Sequence, residues 1–234
     1  IIHYGPKISL ASATGADVGA WLDALGRGGL ATPTLVNKAS YVAGFFKFAQ
    51  SRHWYPEGNN PARGLVAYGP SAKRARRGEG FRPFTPAQIA TLYAPEAVAK
   101  LSPGARWGAL LGLYTGARVS EVGQLRLVDF VERDSMPCVH ITDEGSGQSV
   151  KTDKSDRTVP LHPVLIDLGL LNRVAALHAA GKTRLFPKAK VGGVNGMGNW
   201  LSKAFSYHIK REKVAVEKGR LGFHSLRSTL IQRM

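Results

Sequence analysis

The apolar pattern of the chain changes its period between residues 136 and 161, and this change limits the possible folds more than any other feature. On both sides of that stretch, apolar residues recur every three or four positions, which is typical of helices with one buried face. Within it, residues 138–141, 149–152 and 157–161 predict three short antiparallel strands, with a tight turn at Gly145-Ser146-Gly147. We therefore predict a mainly α-helical protein with a small antiparallel β-sheet.

Capping residues set the boundaries of several predicted helices. Thr85 and Gln88 around Pro86 form a helix start, Ser102-Pro103 opens the next helix, and Gly116 interrupts it. Further helices are predicted over residues 18–25, 32–51, 163–180 and 198–213, and from about His224 onward.

A surplus of positive charge indicates a polyanionic partner. The 234 residues include 32 Lys and Arg against 16 Asp and Glu, which gives a net charge of +16. Each phosphate that a cation neutralises releases condensed counterions, and this favours binding to polyanions. A basic protein of the ribosomal type and a membrane-surface protein are the alternatives, although no continuous basic amphipathic helix supports the second.

Cysteine usage and hydropathy exclude several classes of protein. Cys138 is the single cysteine, which excludes an internal disulfide framework and a cysteine-based zinc site, and its apolar neighbours predict that it is buried. No apolar run reaches the length of about 20 residues that spans a bilayer, and the N-terminus shows no signal-peptide pattern. We therefore expect a cytoplasmic location, beside the nucleoid, and no membrane partner.

The composition shifts near residue 70, which predicts two domains joined by a basic linker. We place a helical domain at residues 1–70, the linker at 71–83 and a second domain at 84–234. The cations of the linker are candidate contacts for a DNA backbone, with a solvated tether as the alternative. They are Lys73, Arg74, Arg76, Arg77 and Arg82.

Two short motifs can each address a phosphate group. Gly116 lets the chain turn before Arg118, and Glu121 lies one helical turn further on, where its carboxylate can orient the guanidinium. His224 and Arg227 are three residues apart, so on a helix they share a face and can serve proton transfer and charge stabilisation. Each motif alone is also typical of a surface pair of little consequence.

A charge-rich hairpin over residues 150–161 provides a third group of candidates. Lys151 lies near the predicted turn between two strands, where a mobile cation can reach into a DNA groove. Lys154 and Arg157 are candidate phosphate contacts. A solvated hairpin without a ligand is the alternative.

The order of these motifs along the chain resembles the catalytic domain of the tyrosine recombinase (phage integrase) family. The motifs are, in order, Arg118-x-x-Glu121, the Lys151 hairpin ending in Val159-Pro160-Leu161, Leu185-Phe186-Pro187, and His224-x-x-Arg227. Upstream, residues 41–49, Trp54 and Asn60-Pro61-Ala62 look like the core-binding domain of that family. The resemblance implies a helical core-binding domain followed by an α+β catalytic domain whose C-terminal end is missing.

The resemblance implies a role for each matching residue. Arg118 and Arg227 would hold the scissile phosphate and stabilise the pentavalent transition state. Lys151 would be the general acid for the departing 5′ oxygen, His224 would assist proton transfer at the nucleophile, and Glu121 would be a supporting residue. Because side-chain cations supply this chemistry, no metal and no cofactor are expected.

The resemblance also implies an activity. It would be site-specific recombination or integration, as in mobile elements: a homotetramer cleaves and rejoins duplex DNA through a 3′-phosphotyrosyl intermediate. A non-catalytic DNA-binding protein of the same fold and a type IB topoisomerase-like enzyme are the alternatives.

Two features depart from the family pattern. The family's nucleophilic tyrosine lies downstream of His-x-x-Arg, whereas the sequence ends at Met234, so no nucleophile is assigned and Tyr207 is interpreted as a packing residue. Ser228 stands where a histidine commonly follows the arginine. We expect a truncated copy of a recombinase, with a natural fragment that binds but cannot cleave as the alternative.

Overall fold

The chain divides into two compact units, Ile1–Arg77 and Gly78–Met234, each with its own hydrophobic core. A computed structural model describes residues 10–66, 80–150, 152, 155–190 and 196–233. Most of the predicted linker at 71–83 lies outside the described residues, so the three-part domain division stays a prediction.

Among its described residues, the first unit contains two α-helices, α1 (Gly15–Arg27) and α2 (Thr32–Ser51). Thr14 caps α1 because its hydroxyl accepts from the Asp17 N–H while the Asp17 carboxylate accepts from the Thr14 N–H. The core of this unit consists of Val18, Leu22, Ala39, Phe46 and Ala62. The predicted helix over 32–51 is confirmed at both ends.

The second unit contains the sheet and the other α-helices found among the described residues. Its elements are α3 (Pro86–Tyr93), α4 (Pro95–Ala99), α5 (Pro103–Thr115), α6 (Val119–Gly123), β1 (Phe130–Arg133), β2 (Met136–Ile141), β3 (Arg157–Pro160), α7 (Pro163–Asp167), α8 (Leu170–Ala179), α9 (Asn199–Arg211) and α10 (Phe223–Arg233). The expected fold class, mainly α with a small antiparallel sheet, is confirmed. Among the described residues, no helix combines the length and apolar character needed to cross a membrane.

The sheet has the order β1-β2-β3, and both pairs of strands are antiparallel. Asp134 and Ser135, both with positive φ (50° and 60°), join β1 to β2 in a two-residue turn. Opposite β1, Cys138 pairs with Val131 and is buried, as predicted. The central strand β2 thus holds the sheet together.

The predicted strand over residues 149–152 is wrong, since its described residues form no strand and β1 takes its place in the sheet. The side chain of Gln124 explains the difference. Its amide oxygen accepts from the Ser149 N–H (3.1 Å), and its amide nitrogen donates to the Ser149 carbonyl (2.9 Å). Ser149 therefore bonds to a buried side chain instead of a neighbouring strand.

The predicted helix over residues 163–180 is wrong as a single element. Two helices, α7 and α8, occupy this range, and Gly169 lies between them with φ of 88°. A residue in the left-handed region interrupts the helical hydrogen bonds, and glycine adopts that conformation without strain. The apolar periodicity continues across the break, which is why the sequence pattern did not show it.

Glycines on α5 bring two other helices into close contact with it. A Cβ at Gly108 would lie 2.5 Å from Leu201 of α9, and a Cβ at Gly112 would lie 2.8 Å from Cε1 of Phe223 in α10. The two glycines are four residues apart and so lie on one face of α5. Large side chains of α9 and α10 fill the space that these glycines leave open.

We predict that Gly123→Ala destabilises the protein by about 2 kcal/mol or more, because overpacking against backbone leaves little room for relaxation. A Cβ there would lie 2.6 Å from both the Gly198 Cα and the Met197 carbonyl oxygen. Gly104→Ala is the matched control, since its Cβ would meet only side-chain atoms at 3.4 Å or more. Urea denaturation checks the prediction, and equal midpoints for the two variants would contradict it.

Candidate functional site

The turn between α5 and α6 places Arg118 at the start of a helix. Gly116 ends α5 in the left-handed conformation, with φ of 60°. Arg118 then occupies the position before the first residue of α6, and its backbone N–H donates to Oε2 of Glu121 at 2.9 Å. The guanidinium of Arg118 therefore projects from the beginning of a helix, as the glycine break predicts.

The carboxylate of Glu121 binds two guanidinium groups. Its side chain is 1% exposed, Oε1 accepts from Nη1 of Arg118 at 2.5 Å, and Oε2 accepts from Nη2 of Arg157 at 2.8 Å. Burial, the largest influence, raises the pKa of Glu121, but the hydrogen bonds from Arg157 and Arg118 outweigh it and hold the pKa below the ordinary value of 4.5. Glu121 is therefore an anion at neutral pH.

Ser155 connects the segment before β3 to the same two arginines. Its buried hydroxyl accepts from Nη1 of Arg118 (3.1 Å), and its carbonyl accepts from Nη1 of Arg157 (2.8 Å). The hydroxyl of Thr152 lies 3.0 Å from that of Ser155. Ser155 thus links Thr152 to the Arg118 guanidinium.

Helix α10 brings a third guanidinium to this cluster. Nη1 of Arg227 donates to the carbonyl oxygen of Gly116 at 2.7 Å, so α10 is bonded to the turn that presents Arg118. Burial, the largest influence, lowers the pKa of Arg227, and the positive charges of Arg118 and Arg157 lower it further. An arginine remains protonated in neutral solution despite such a shift.

The cluster of Arg118, Glu121, Arg157 and Arg227 has an excess of positive charge. Three guanidinium cations face one carboxylate, which leaves a surplus of two positive charges. Guanidinium groups held in fixed orientations match the oxygens of a phosphate, with which they form paired hydrogen bonds. The arrangement is suited to binding a phosphate group.

His224 lies in the first turn of α10 and is exposed to solvent. Its imidazole centroid is 5.5 Å from the ring centroid of Phe81. Arg227 follows three residues later on the same helix, as the His-x-x-Arg spacing predicts. Both side chains therefore project from the helix that packs on α5.

Several candidates lie outside this cluster or outside the described residues. Arg82 lies beside the loop before α10, where its N–H donates to the Arg220 carbonyl (2.9 Å) and its Nε to that of Lys218 (3.3 Å). Its contact with DNA stays a prediction. Six further candidates fall outside the described residues: Lys73, Arg74, Arg76, Arg77, Lys151 and Lys154.

Sequence reasoning missed the contribution of Ser155 and the pairing of Arg157 with Glu121. Ser155 and Arg157 are two residues apart at the start of a strand, where alternate side chains point to the same face. This spacing was the signal in the sequence that could have grouped them. The interpretation of Tyr207 as a packing residue is wrong, since it is 66% exposed and the Arg211 guanidinium lies 5.9 Å from its ring centre. Helical periodicity alone did not show which face of α9 is buried.

No protein-family model and no curated protein matches the sequence. Solved structures do match, and they include a lambda integrase dimer bound to a COC′ core site, with a TM-score of 0.61 and 18% identity. The XerH site-specific recombinase bound to palindromic difH, in a post-cleavage complex, gives a TM-score of 0.64 at 18% identity. The Tn1549 transposon integrase in complex with a circular intermediate DNA gives a TM-score of 0.55 at 18% identity.

These three proteins are tyrosine recombinases, and each match covers 96% of the chain. The chain has the tyrosine recombinase fold. It spans 72%, 63% and 73% of the lengths of the lambda, XerH and Tn1549 structures, respectively. Within this fold, Arg227 of α10 donates to the Gly116 carbonyl in the turn that precedes Arg118.

We predict that Glu121→Gln lowers the free energy of unfolding by about 1–3 kcal/mol at pH 7, because two guanidiniums would no longer have a buried anionic acceptor. The folded-state pKa of Glu121 lies below 4.5, so its contribution is complete above that pH and is lost as the pH falls through the lowered value. The stability difference between variant and wild type should therefore shrink in acid. Urea titrations from pH 7 to about pH 3 measure it.

Glu132→Gln is the matched control for this prediction. Glu132 is an exposed carboxylate on β1 of the same unit. Its replacement should change stability by no more than about 0.5 kcal/mol at any pH in the range. A Glu121→Gln penalty that stays constant from neutral to acid would contradict the assignment of Glu121 as the ionised partner of both arginines.

Proposed function

We propose that this chain is the DNA-binding and catalytic core of a site-specific recombinase, an integrase that cleaves and rejoins duplex DNA. The observation that carries the proposal is the cluster in which Glu121 orients Arg118 and Arg157 while Arg227 approaches from α10. Its surplus of positive charge lies in a fold that DNA-bound integrases share. A phosphodiester of the DNA backbone is the ligand of matching charge and shape.

Arg118 and Arg227 are proposed to bind the non-bridging oxygens of the scissile phosphate. Both guanidiniums have fixed partners before DNA binds, namely Glu121 for Arg118 and the Gly116 carbonyl for Arg227. Such preorganised donors stabilise the charge that develops on the pentavalent phosphorus, with little reorganisation during the reaction. Arg157 supports them by sharing the Glu121 carboxylate.

The proton transfers are assigned to Lys151 and His224. In the proposed reaction a tyrosine oxygen attacks the phosphorus, the bond to the 5′ oxygen breaks, and a 3′-phosphotyrosyl intermediate forms. Lys151 donates a proton to the departing 5′ oxygen, while His224 assists removal of the tyrosine proton. Attack by the 5′ hydroxyl of a second DNA strand then reverses these steps and rejoins DNA. The attacking tyrosine is not assigned to any described residue.

The DNA complex is proposed to be a homotetramer that holds two recombining sites in the cytoplasm, beside the nucleoid. The net charge of +16 favours wrapping of both domains around a duplex. Recombination of a mobile element is the matching process. The linker cations and Lys154 are proposed as further contacts with the DNA backbone.

We predict that the complete gene product forms a covalent DNA adduct that survives detergent. The DNA substrate is a duplex selected by binding from a random pool. A nick next to the cleavage position lets the short fragment that carries the released 5′ hydroxyl diffuse away, so that the adduct accumulates. Arg118→Ala and Arg227→Ala should each slow adduct formation by about 100-fold or more, because each removes a donor to the transition state. Gel analysis after denaturation measures the rate.

Arg133→Ala is the control, since Arg133 is an exposed cation at the end of β1 and is not part of the cluster. It should form the adduct at the wild-type rate. An Arg118→Ala variant as fast as wild type would show that the site is wrongly assigned. Specific DNA binding by the wild type without any adduct would instead indicate a non-catalytic protein of this fold.

We also predict a shallower salt dependence of DNA binding when the linker cations are removed. Replacing Lys73, Arg74, Arg76 and Arg77 together by Ala should reduce the slope of log K against log salt by about 0.9 for each DNA phosphate that these cations neutralise. The control replaces the three arginines by lysine, which keeps the charge and should keep the slope. Fluorescence anisotropy at several salt concentrations gives both slopes, and identical slopes for both variants would contradict binding of the linker to DNA.

A further inference from the structure

We propose that Phe81 is a positioning residue whose ring orients the imidazole of His224 for proton transfer. This inference rests on the proposed function, because it assumes that His224 acts at the reacting DNA. The imidazole and phenyl centroids are 5.5 Å apart, and the ring planes are inclined by 57°. This distance lies within the range of favourable contacts between aromatic rings.

Arg220, in the loop before α10, fixes both the ring and the backbone of Phe81. The guanidinium carbon of Arg220 lies over the ring, 4.3 Å from its centroid, at cation–π distance. The backbones of the two residues form a parallel bridge, in which the Arg82 N–H donates to the Arg220 carbonyl (2.9 Å) and the Arg220 N–H to that of Gly80 (3.1 Å). Phe81 therefore has both a fixed backbone and a stacking partner.

Gly222 allows the ring to lie directly against the start of α10. A Cβ at Gly222 would come within 2.6 Å of Cε1 of Phe81, so the ring occupies the place of that missing side chain. Gly222 also caps the helix, since its carbonyl accepts from the Ser225 N–H (2.9 Å) and its N–H donates to the Ser225 hydroxyl (3.2 Å). The ring thus packs on a rigid backbone two residues before His224.

The consequence for the reaction is a restricted imidazole. His224 is exposed, and an exposed side chain exchanges between rotamers unless a neighbour favours one of them. Proton transfer requires the imidazole nitrogen within hydrogen-bond reach of the reacting oxygen. Removing the ring should therefore lower the rate of the chemical step and leave the affinity for DNA unchanged, because Phe81 itself makes no contact with the phosphate in this proposal.

The test compares four variants of the complete protein: Phe81→Ala, Phe81→Tyr, Gly222→Ala and the double variant Phe81→Ala/Gly222→Ala. Phe81→Ala should slow adduct formation by about tenfold or more, since misplacement of a reacting group has a large effect on rate. Its dissociation constant for DNA should stay within about twofold of wild type. Phe81→Tyr keeps the ring and should restore the rate.

The double variant separates positioning from a general loss of structure. Gly222→Ala displaces the ring and should slow the reaction as Phe81→Ala does. Once the ring is absent, the added methyl group no longer meets it, so the double variant should react at the rate of Phe81→Ala alone. Additive losses in the double variant, or a Phe81→Ala rate within about twofold of wild type, would overturn the inference.

NMR of the DNA-free protein provides a readout that is independent of recombination. The ring current of Phe81 should shift the His224 imidazole signals, and the shift should vanish in Phe81→Ala and persist in Phe81→Tyr. Unchanged His224 signals in Phe81→Ala would refute the contact. If the contact is present but wild type forms no adduct on any selected DNA, the proposed function fails and the catalytic part of the inference fails with it.

Discussion

The buried carboxylate of Glu121 is the constraint around which the site is organised. A carboxylate that is 1% exposed has lost its hydration and requires cations and donors in its place. Arg118 supplies a backbone N–H and a guanidinium from the same turn of α6, and Arg157 supplies a second guanidinium from β3. Because removal of the anion would leave two arginines without their acceptor, α6 and the sheet are joined by one ionic group.

The glycines of α5 extend this arrangement to α10. Gly112 lets Phe223 approach the helix backbone, and Gly116 both ends α5 and offers its carbonyl to Arg227. A Cβ at Gly116 would also come within 2.8 Å of Leu230. Close packing of helices thus delivers Arg227 to the Gly116 turn, 111 residues earlier in the chain. The site therefore depends on the lack of a Cβ at Gly112 and Gly116 as well as on the charged side chains.

Local signals explain what could be predicted from the sequence. The cap at Thr85, the break at Gly116 and the Arg118–Glu121 spacing all act within four residues, where backbone geometry decides which groups meet. The overall fold class follows from periodicity and is confirmed. By contrast, the bond between Arg157 and Glu121 joins residues 36 positions apart, so no local pattern indicates it.

Two errors have the same physical origin. Residues 149–150 have strand-like composition, but the buried side-chain amide of Gln124 forms hydrogen bonds with the N–H and the carbonyl of Ser149, which a neighbouring strand would otherwise form. Tyr207 has helical spacing from Trp200 and Ala204, yet its side chain points to solvent. In both places tertiary contacts override local preference. Phe81 was missed for a related reason, since its significance comes from Gly222 and Arg220, which approach it only in the folded chain.

The charge of the cluster gives a reason why the proposed site would favour a transition state over its substrate. Arg118, Arg157 and Arg227 leave a surplus of two positive charges after Glu121 is counted. A phosphodiester carries one negative charge, and attack by a deprotonated tyrosine raises the charge around phosphorus to two. The doubly charged state attracts these cations more strongly than the diester does, and an interaction that strengthens in the transition state accelerates the reaction.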